Sequence, residues 1–330
     1  MLKAYTTKEL QDFFQLLEAE YDVQIPIKLH DNTRTLGKIG EGEMALLGGV
    51  LPMKPTGVFA PYQEVILTFE GEEIKLPRAP KPIFVVGFTA ADAACLEFID
   101  RFYQKNFADG PYLAKRNNSV IVCITGKCGV DGTLLPIAGS NCDLELIYDG
   151  EKFIALAYSD IGKKLTNRVF GGTEVADDKI AKLKEAAEKL SNSETEMLQA
   201  ASKLILENKV PEYFWQKISN RCITCTGCTL VCPTCTCFDV FDRKTSSDQK
   251  TERVRIRDSC QLGGFMYEAS GHNPMGKEFQ RTRRRIHHKL AADVIRFGHI
   301  TCFNCGRCDQ VCPSNIGIKS VCREMVSEFG

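Results

Sequence analysis

The sequence has no excess of charge of either sign. Its 42 lysines and arginines are matched by 42 aspartates and glutamates, so no global field draws the chain to nucleic acid or anionic lipid, and any basic patch has to be judged locally. It also has no run of about 18 apolar residues of the kind a membrane-spanning helix needs. The N-terminal stretch MLKAYTTKEL carries no apolar segment of a secretory signal. A cytoplasmic chain with no membrane partner is therefore expected. Phosphate-cradling glycine motifs are missing too. The nearest candidates, Gly37-Lys38-Ile39-Gly40-Glu41-Gly42, form neither G-x-G-x-x-G nor a P-loop. Hydride chemistry on a dinucleotide is thus expected to belong to another protein of the same complex.

Cysteine, by contrast, is abundant. There are 16, and in a reducing compartment that points to metal ligation rather than cross-links. Eight of them fall into two runs of one grammar: Cys222, Cys225, Cys228, Cys232 before Pro233, and Cys302, Cys305, Cys308, Cys312 before Pro313. Each reads C-x2-C-x2-C-x3-C-P, the run that holds [4Fe–4S] clusters in bacterial-type ferredoxins. A cubane needs one thiolate per iron. Three thiolates two residues apart can wrap three corners from one loop, and in two-cluster ferredoxins the fourth ligand comes from the opposite run. The expected sets are Cys222, Cys225, Cys228 with Cys312, and Cys302, Cys305, Cys308 with Cys232. Zinc would call for two C-x2-C pairs per site, which leaves the third cysteine of each run and the proline unexplained. Disulfides would need an oxidising compartment.

The rest of the chain reads as α+β: a mixed α/β docking domain over 1–173, a helical spacer over 174–208, and a mainly helical two-[4Fe–4S] ferredoxin domain over 209–330. Lys8–Tyr21 places Leu10, Phe13, Phe14 and Leu17 on one helical face. Ile25–Leu29, Glu64–Phe69, Pro82–Phe88 and Ser119–Ile124 read as strands, with a helix over Ala90–Lys105 making a βαβ candidate. Asp143–Tyr148 and Lys152–Tyr158 flank Asp149-Gly150 as a hairpin. In the spacer, Ser191-Asn192-Ser193 suggests a joint between two helices. The long gap between Cys232 and Cys302, with helix formers over Gly276–Phe297 and a short helix expected over Gly263–Ala269, argues for helices rather than a small sheet around the clusters.

Beyond the two runs, the segment Cys222–Asp239 (CITCTGCTLVCPTCTCFD) is similar to the β-subunit family of cytoplasmic multisubunit nickel–iron hydrogenases of the sulfhydrogenase type, to which one component of anaerobic sulfite reductase also belongs. Asp258-Ser259-Cys260, Gly271-His272-Asn273-Pro274, the basic run Arg283 to Lys289 and Cys305-Gly306-Arg307-Cys308 carry the same resemblance. Upstream, Leu51-Pro52-Met53-Lys54 and Gly87 to Asp92 fall where the family has P-x-K and G-x-R-x-C-D segments. The resemblance implies an electron-wiring subunit between a flavin subunit that reacts with NAD(P)H and a catalytic or second redox subunit. The family can hold an additional N-terminal cluster. This chain departs from it there: Ala91 replaces the cysteine, Thr89 replaces the arginine, and no C-F-C follows Cys123. Cys95, Cys123, Cys128 and Cys142 remain, but their spacing matches no standard run. No third cluster is expected, and these thiols are read as small buried hydrophobes.

Cys235, Cys237, Cys260 and Cys322 lie near the ligand runs and are expected to pack against the clusters or the core. Arg281, Arg283, Arg284, Arg285, His287, His288 and Lys289 share one expected helix. No stacking aromatics interleave them, so a nucleic-acid partner is not expected, whereas positive charge near anionic cubanes can tune potentials or dock partners. His272 and His299 are expected to hydrogen-bond or pack, not to ligate. The function expected is an iron–sulfur electron-transfer subunit of an anaerobic redox complex. Its rivals are a subunit of a flavin-based electron-bifurcating NAD(P)H:ferredoxin complex, a self-sufficient flavin-containing reductase, and an iron–sulfur sensor that binds nucleic acid.

Overall fold

The computed structural model describes residues 2–78, 80–105, 107–246 and 250–330. Its strands, in chain order, are β1 (Leu2–Tyr5), β2 (Asp22–Lys28), β3 (Arg34–Gly37), β4 (Glu43–Met44), β5 (Gln63–Glu70), β6 (Glu73–Lys75), β7 (Ile83–Phe88), β8 (Ser119–Gly126), β9 (Leu144–Tyr148), β10 (Phe153–Ala157), β11 (Thr173–Val175), β12 (Phe238–Lys244) and β13 (Lys250–Arg257). Its helices are α1 (Thr7–Leu17), α2 (Ala90–Gln104), α3 (Gly110–Arg116), α4 (Asp160–Thr166), α5 (Asp177–Leu206), α6 (Glu212–Ser219), α7 (Gly227–Leu230), α8 (Glu278–His287), α9 (Asp293–Phe297), α10 (Arg307–Gln310) and α11 (Ile318–Phe329). Among the described residues no helix is long and apolar enough to cross a membrane.

The chain divides into two units, Met1–Phe59 with Ala79–Asn192, and Ala60–Arg78 with Ser193–Gly330. The first is built on a sheet in the order β11-β1-β10-β9-β8-β7-β2-β3, with β4 pairing beside β2. Its centre is parallel, β2 on β7, β7 on β8 and β8 on β9. Every residue of Ile83–Phe88 is buried, as an apolar run covered on both faces requires. On α1, Leu10, Phe13, Phe14 and Leu17 are buried in that core, each burial stabilising by about 1.5–3 kcal/mol. Thr6 and Glu9 close a capping box at the start of α1.

The second unit combines helices with a four-stranded antiparallel sheet, β12-β13-β5-β6. Two expectations change here. The strand predicted over Glu64–Phe69 forms, but it pairs with β13 and joins the C-terminal unit instead of the N-terminal domain. The sequence between Cys237 and Asp258, read without strands, is a hairpin of β12 on β13. Its alternating charged residues mask it: Arg253 pairs with Asp242 and Arg243 with Glu252 across the strands, so little of it looks apolar. The spacer also differs. A single α5 runs through Ser191-Asn192-Ser193, because packing of Leu198, Ala201, Leu204 and Ile205 in the second core outweighs the weak helix propensity of serine and asparagine. That core gathers Phe214, Trp215 and Ile218 from α6, Ile286 from α8 and Val321, Cys322 and Met325 from α11.

Candidate metal centres

Both cysteine runs adopt one backbone form. Thr224 and Asn304 stand at matching places, with φ of 51° and 60°, and Thr226 and Gly306 match likewise at 63° and 77°. Two left-handed residues in each loop curl the chain so that successive cysteines can face one space. A left-handed Thr is rarely tolerated outside sites that over-determine it. Each loop then runs into a one-turn helix, α7 or α10, with the third cysteine inside it.

The two cavities that result each draw on both runs. One is lined by Cys222, Cys225 and Cys228 of the first run and Cys312 of the second, with Gln261 and Arg285. The other is lined by Cys302, Cys305 and Cys308 of the second run and Cys232 of the first, with Thr234 and Asp309. Backbone amides approach the sulfurs. Thr224 N lies 3.4 Å from Cys222 Sγ, Ile318 N 3.4 Å from Cys308 Sγ and Ile316 N 3.5 Å from Cys312 Sγ. Asp309 anchors the second cavity from α10. Its carboxylate accepts from Lys319 N at 3.3 Å and Ser320 N at 2.9 Å at the start of α11. Gly317 makes this approach possible, since a Cβ there would lie 2.2 Å from Asp309 Cγ.

Burial raises the thiols of Cys228, Cys302 and Cys308. Cys302 is pushed up to about 12, chiefly by desolvation, and Cys228 and Cys308 rise for the same reason, with Arg285 opposing. A bound metal would hold its ligand cysteines as thiolates. Buried cations lie near them, Arg285 and Lys289 each only 4% exposed and Arg307, within the second run, 1%. Burial opposes the charge of Arg285 and Lys289. For Arg285 the sulfurs of Cys228, Cys308, Cys235 and Cys260 outweigh it, and for Lys289 those of Cys232, Cys235 and Cys302 do. Arg285 Nη2 donates to Ile316 O at 2.6 Å, while Nη1 has no hydrogen-bond partner among the described residues. A buried guanidinium that lines a ring of four thiols and keeps one N–H group unpartnered suits an anionic occupant, and a cubane held by four thiolates is anionic. The donor set fits a multi-iron group with thiolate corners.

The remaining cysteines lie outside both linings. Cys237 and Cys260 hydrogen-bond each other; Cys260 as donor lowers the Cys237 thiol against the effect of burial, and Cys260 is itself raised. Cys322 is fully buried in the helical core. In the N-terminal unit Cys95 Sγ donates to Ala91 O at 3.0 Å, Cys142 Sγ to Gly139 O at 3.4 Å, and Cys123 contacts Cys142. Cys128 belongs to the apolar core, and burial pushes it up to about 12. His299 is exposed, with Nδ1 3.0 Å from Ile300 O, and His272 is also exposed.

Sequence reasoning passed over one buried acid. Glu145, the second residue of β9, is wholly buried. Its oxygens are already taken by Thr125 Oγ1 at 2.6 Å, Ala138 N at 2.7 Å, Gly139 N at 3.2 Å and Tyr158 Oη at 2.8 Å. It is a satisfied structural carboxylate. Only an acidic residue interrupting an apolar strand, LELIY, could have signalled it.

Residues 221–316 match the family model described as a 4Fe-4S dicluster domain. The sulfhydrogenase 2 β subunit of Pyrococcus furiosus is 26% identical over 318 residues, 92% of either chain. The β subunit of an F420-dependent formate dehydrogenase from Methanocaldococcus jannaschii is 27% identical over 177 residues, 51% of this chain and 37% of that protein. Both relatives are named as subunits of larger redox enzymes. With the cavity geometry, these relations show a chain that carries a 4Fe-4S dicluster domain and is similar along most of its length to a sulfhydrogenase β subunit.

Proposed function

We propose that this chain relays single electrons through two [4Fe–4S] clusters inside a hetero-oligomeric, cytoplasmic complex of anaerobic metabolism. One neighbour is a subunit whose flavin reacts with NAD(P)H, and the other is a catalytic partner of hydrogenase or sulfite-reductase type. The observation that carries the reading is the make-up of the two cavities, three cysteines of one run and the fourth of the other. The clusters, when bound, supply the one-electron carriers. This chain's residues do the rest. Cys222, Cys225, Cys228 and Cys312 hold one cluster, and Cys302, Cys305, Cys308 and Cys232 the other. Amides of Thr224, Ile316 and Ile318 stabilise charge on their sulfurs. Cys225 is exposed and Ile223 beside it is 63% exposed, so the first cluster lies closest to a partner at that edge. The N-terminal unit serves as a docking scaffold, and its cysteines pack as small hydrophobes.

Replacing one ligand per run tests the assignment. In anaerobically prepared Cys225→Ser and Cys305→Ser chains, iron and sulfide analysis and electron paramagnetic resonance should report loss or alteration of one cluster each. Electron transfer through the assembled complex should fall with it. Full iron content and undiminished transfer in both variants would overturn the reading.

A further inference from the structure

Resting on that ligand assignment, the buried part of the basic helix carries a finer division of labour. Arg281, Arg285 and Lys289 recur every four residues, and all three are buried. Arg281 is spent on structure, donating to Gln261 O, Met275 O and Gly276 O at 2.9 Å each. The other two reach the cavities separately. Arg285 lines the one that contains Cys222, Cys225, Cys228 and Cys312. Lys289 Nζ donates to Thr234 Oγ1 at 2.6 Å, and that hydroxyl lies 3.5 Å from Cys232 Sγ in the other cavity.

The backbone shows how one helix serves two cavities. At His288–Ala292 it widens into a π-turn, a local defect often found at functional sites. Two carbonyls of that turn are met from outside the helix: Lys289 O accepts from Thr301 N at 3.0 Å, and Leu290 O accepts from Ser202 Oγ. Thr301 O in turn accepts from Thr234 Oγ1 at 2.9 Å. The turn, the Thr234 hydroxyl and the chain just before Cys302 are therefore tied into one hydrogen-bonded unit that fixes Lys289 at the second cavity.

We infer that Arg285 and Lys289 set the reduction potentials of the two clusters separately, Lys289, held in place by Thr234, acting on the Cys232 cluster and Arg285 on the Cys222 cluster. A buried cation favours the reduced, more negative form of a nearby cluster, and low local dielectric leaves that effect little screened. Arg285 lines the cavity of Cys222, Cys225, Cys228 and Cys312, whereas Lys289 is bonded to Thr234 in the lining of the other.

The test is a redox titration of the full, cluster-loaded chain followed by electron paramagnetic resonance, with the two signals assigned from Cys225→Ser and Cys305→Ser chains. In Lys289→Gln the Cys232 cluster should become at least tenfold harder to reduce at fixed potential, equivalent to about 59 mV for a one-electron couple, and the other should stay put. Lys289→Arg should restore most of the difference. Thr234→Val keeps the charge but removes the intervening hydroxyl, and should lower the same potential by less. Arg285→Gln should lower the potential of the Cys222 cluster, and Arg285→Lys should lower it less. Unchanged potentials in Lys289→Gln and Thr234→Val, or equal shifts of both clusters in each, would overturn the inference. If Lys289→Gln fails to fold, Thr234→Val decides alone. Fewer than two cubanes in the unsubstituted chain is a separate result and would defeat the ligand assignment instead.

Discussion

At the scale of single residues, the duplicated loops supply an internal control. Thr226 and Gly306 hold the same left-handed place, and a Cβ added at Gly306 would meet nothing nearer than Lys319 Nζ at 3.7 Å. Gly306→Thr should therefore cost backbone strain without a clash, about 1 kcal/mol. Gly317→Ala should cost more, since its new atom would fall 2.5 Å from Asp309 Cα as well as against the side chain; about 1–3 kcal/mol is expected for forced overpacking. Thermal melts of the two iron-loaded variants should rank Gly317→Ala as the less stable. The same scale explains what was readable early. The two cysteine runs with their prolines stood out in the sequence because their spacing is that of a run that holds a cubane. Arg285 and Lys289 were legible only as part of a basic run: nothing in RTRRRIHHK says which cations turn inward.

Between elements, Glu194 ties α5 to the second cluster loop. It accepts from Asn304 Nδ2 at 2.7 Å and Lys319 Nζ at 2.6 Å and meets Arg323 at 3.3 Å. Partial burial alone would raise its pKa, but these partners, led by Lys319, bring it below the ordinary carboxylate value. A depressed folded pKa means that the contribution is complete above the unfolded value near 4.5 and is lost as pH falls through the folded one. Glu194→Gln should thus cost about 1 kcal/mol, discounted for its partial exposure, and equally at pH 6 and pH 7. Paired melts at the two pH values check this, and a loss present at only one of them would refute it. The β12–β13 hairpin shows why some elements escape notice. Its register puts opposite charges face to face, and its sheet is completed by β5, far away along the chain.

For the molecule as a whole, the two units should answer differently to iron. The helical core of the second unit packs directly against Cys222, Cys302, Cys308 and Cys312, whereas the first unit rests on a nine-stranded sheet with its own apolar core. Removing iron anaerobically with a chelator should raise hydrogen exchange at residues 222–237 and 302–318 and leave β7, β8 and β9 protected. Loss of protection throughout would refute that independence. By itself the sequence determined the 4Fe-4S character of the C-terminal unit, the α1 face, the parallel βαβ core and the place of each cysteine run, because those follow from cysteine spacing and from hydrophobic period. Tertiary structure alone decided that β5 joins the C-terminal unit, that α5 runs unbroken, and that Arg285 and Lys289 are enclosed near the thiols. These depend on partners far apart in the chain, and a burial that only the packed core can enforce leaves no local signature.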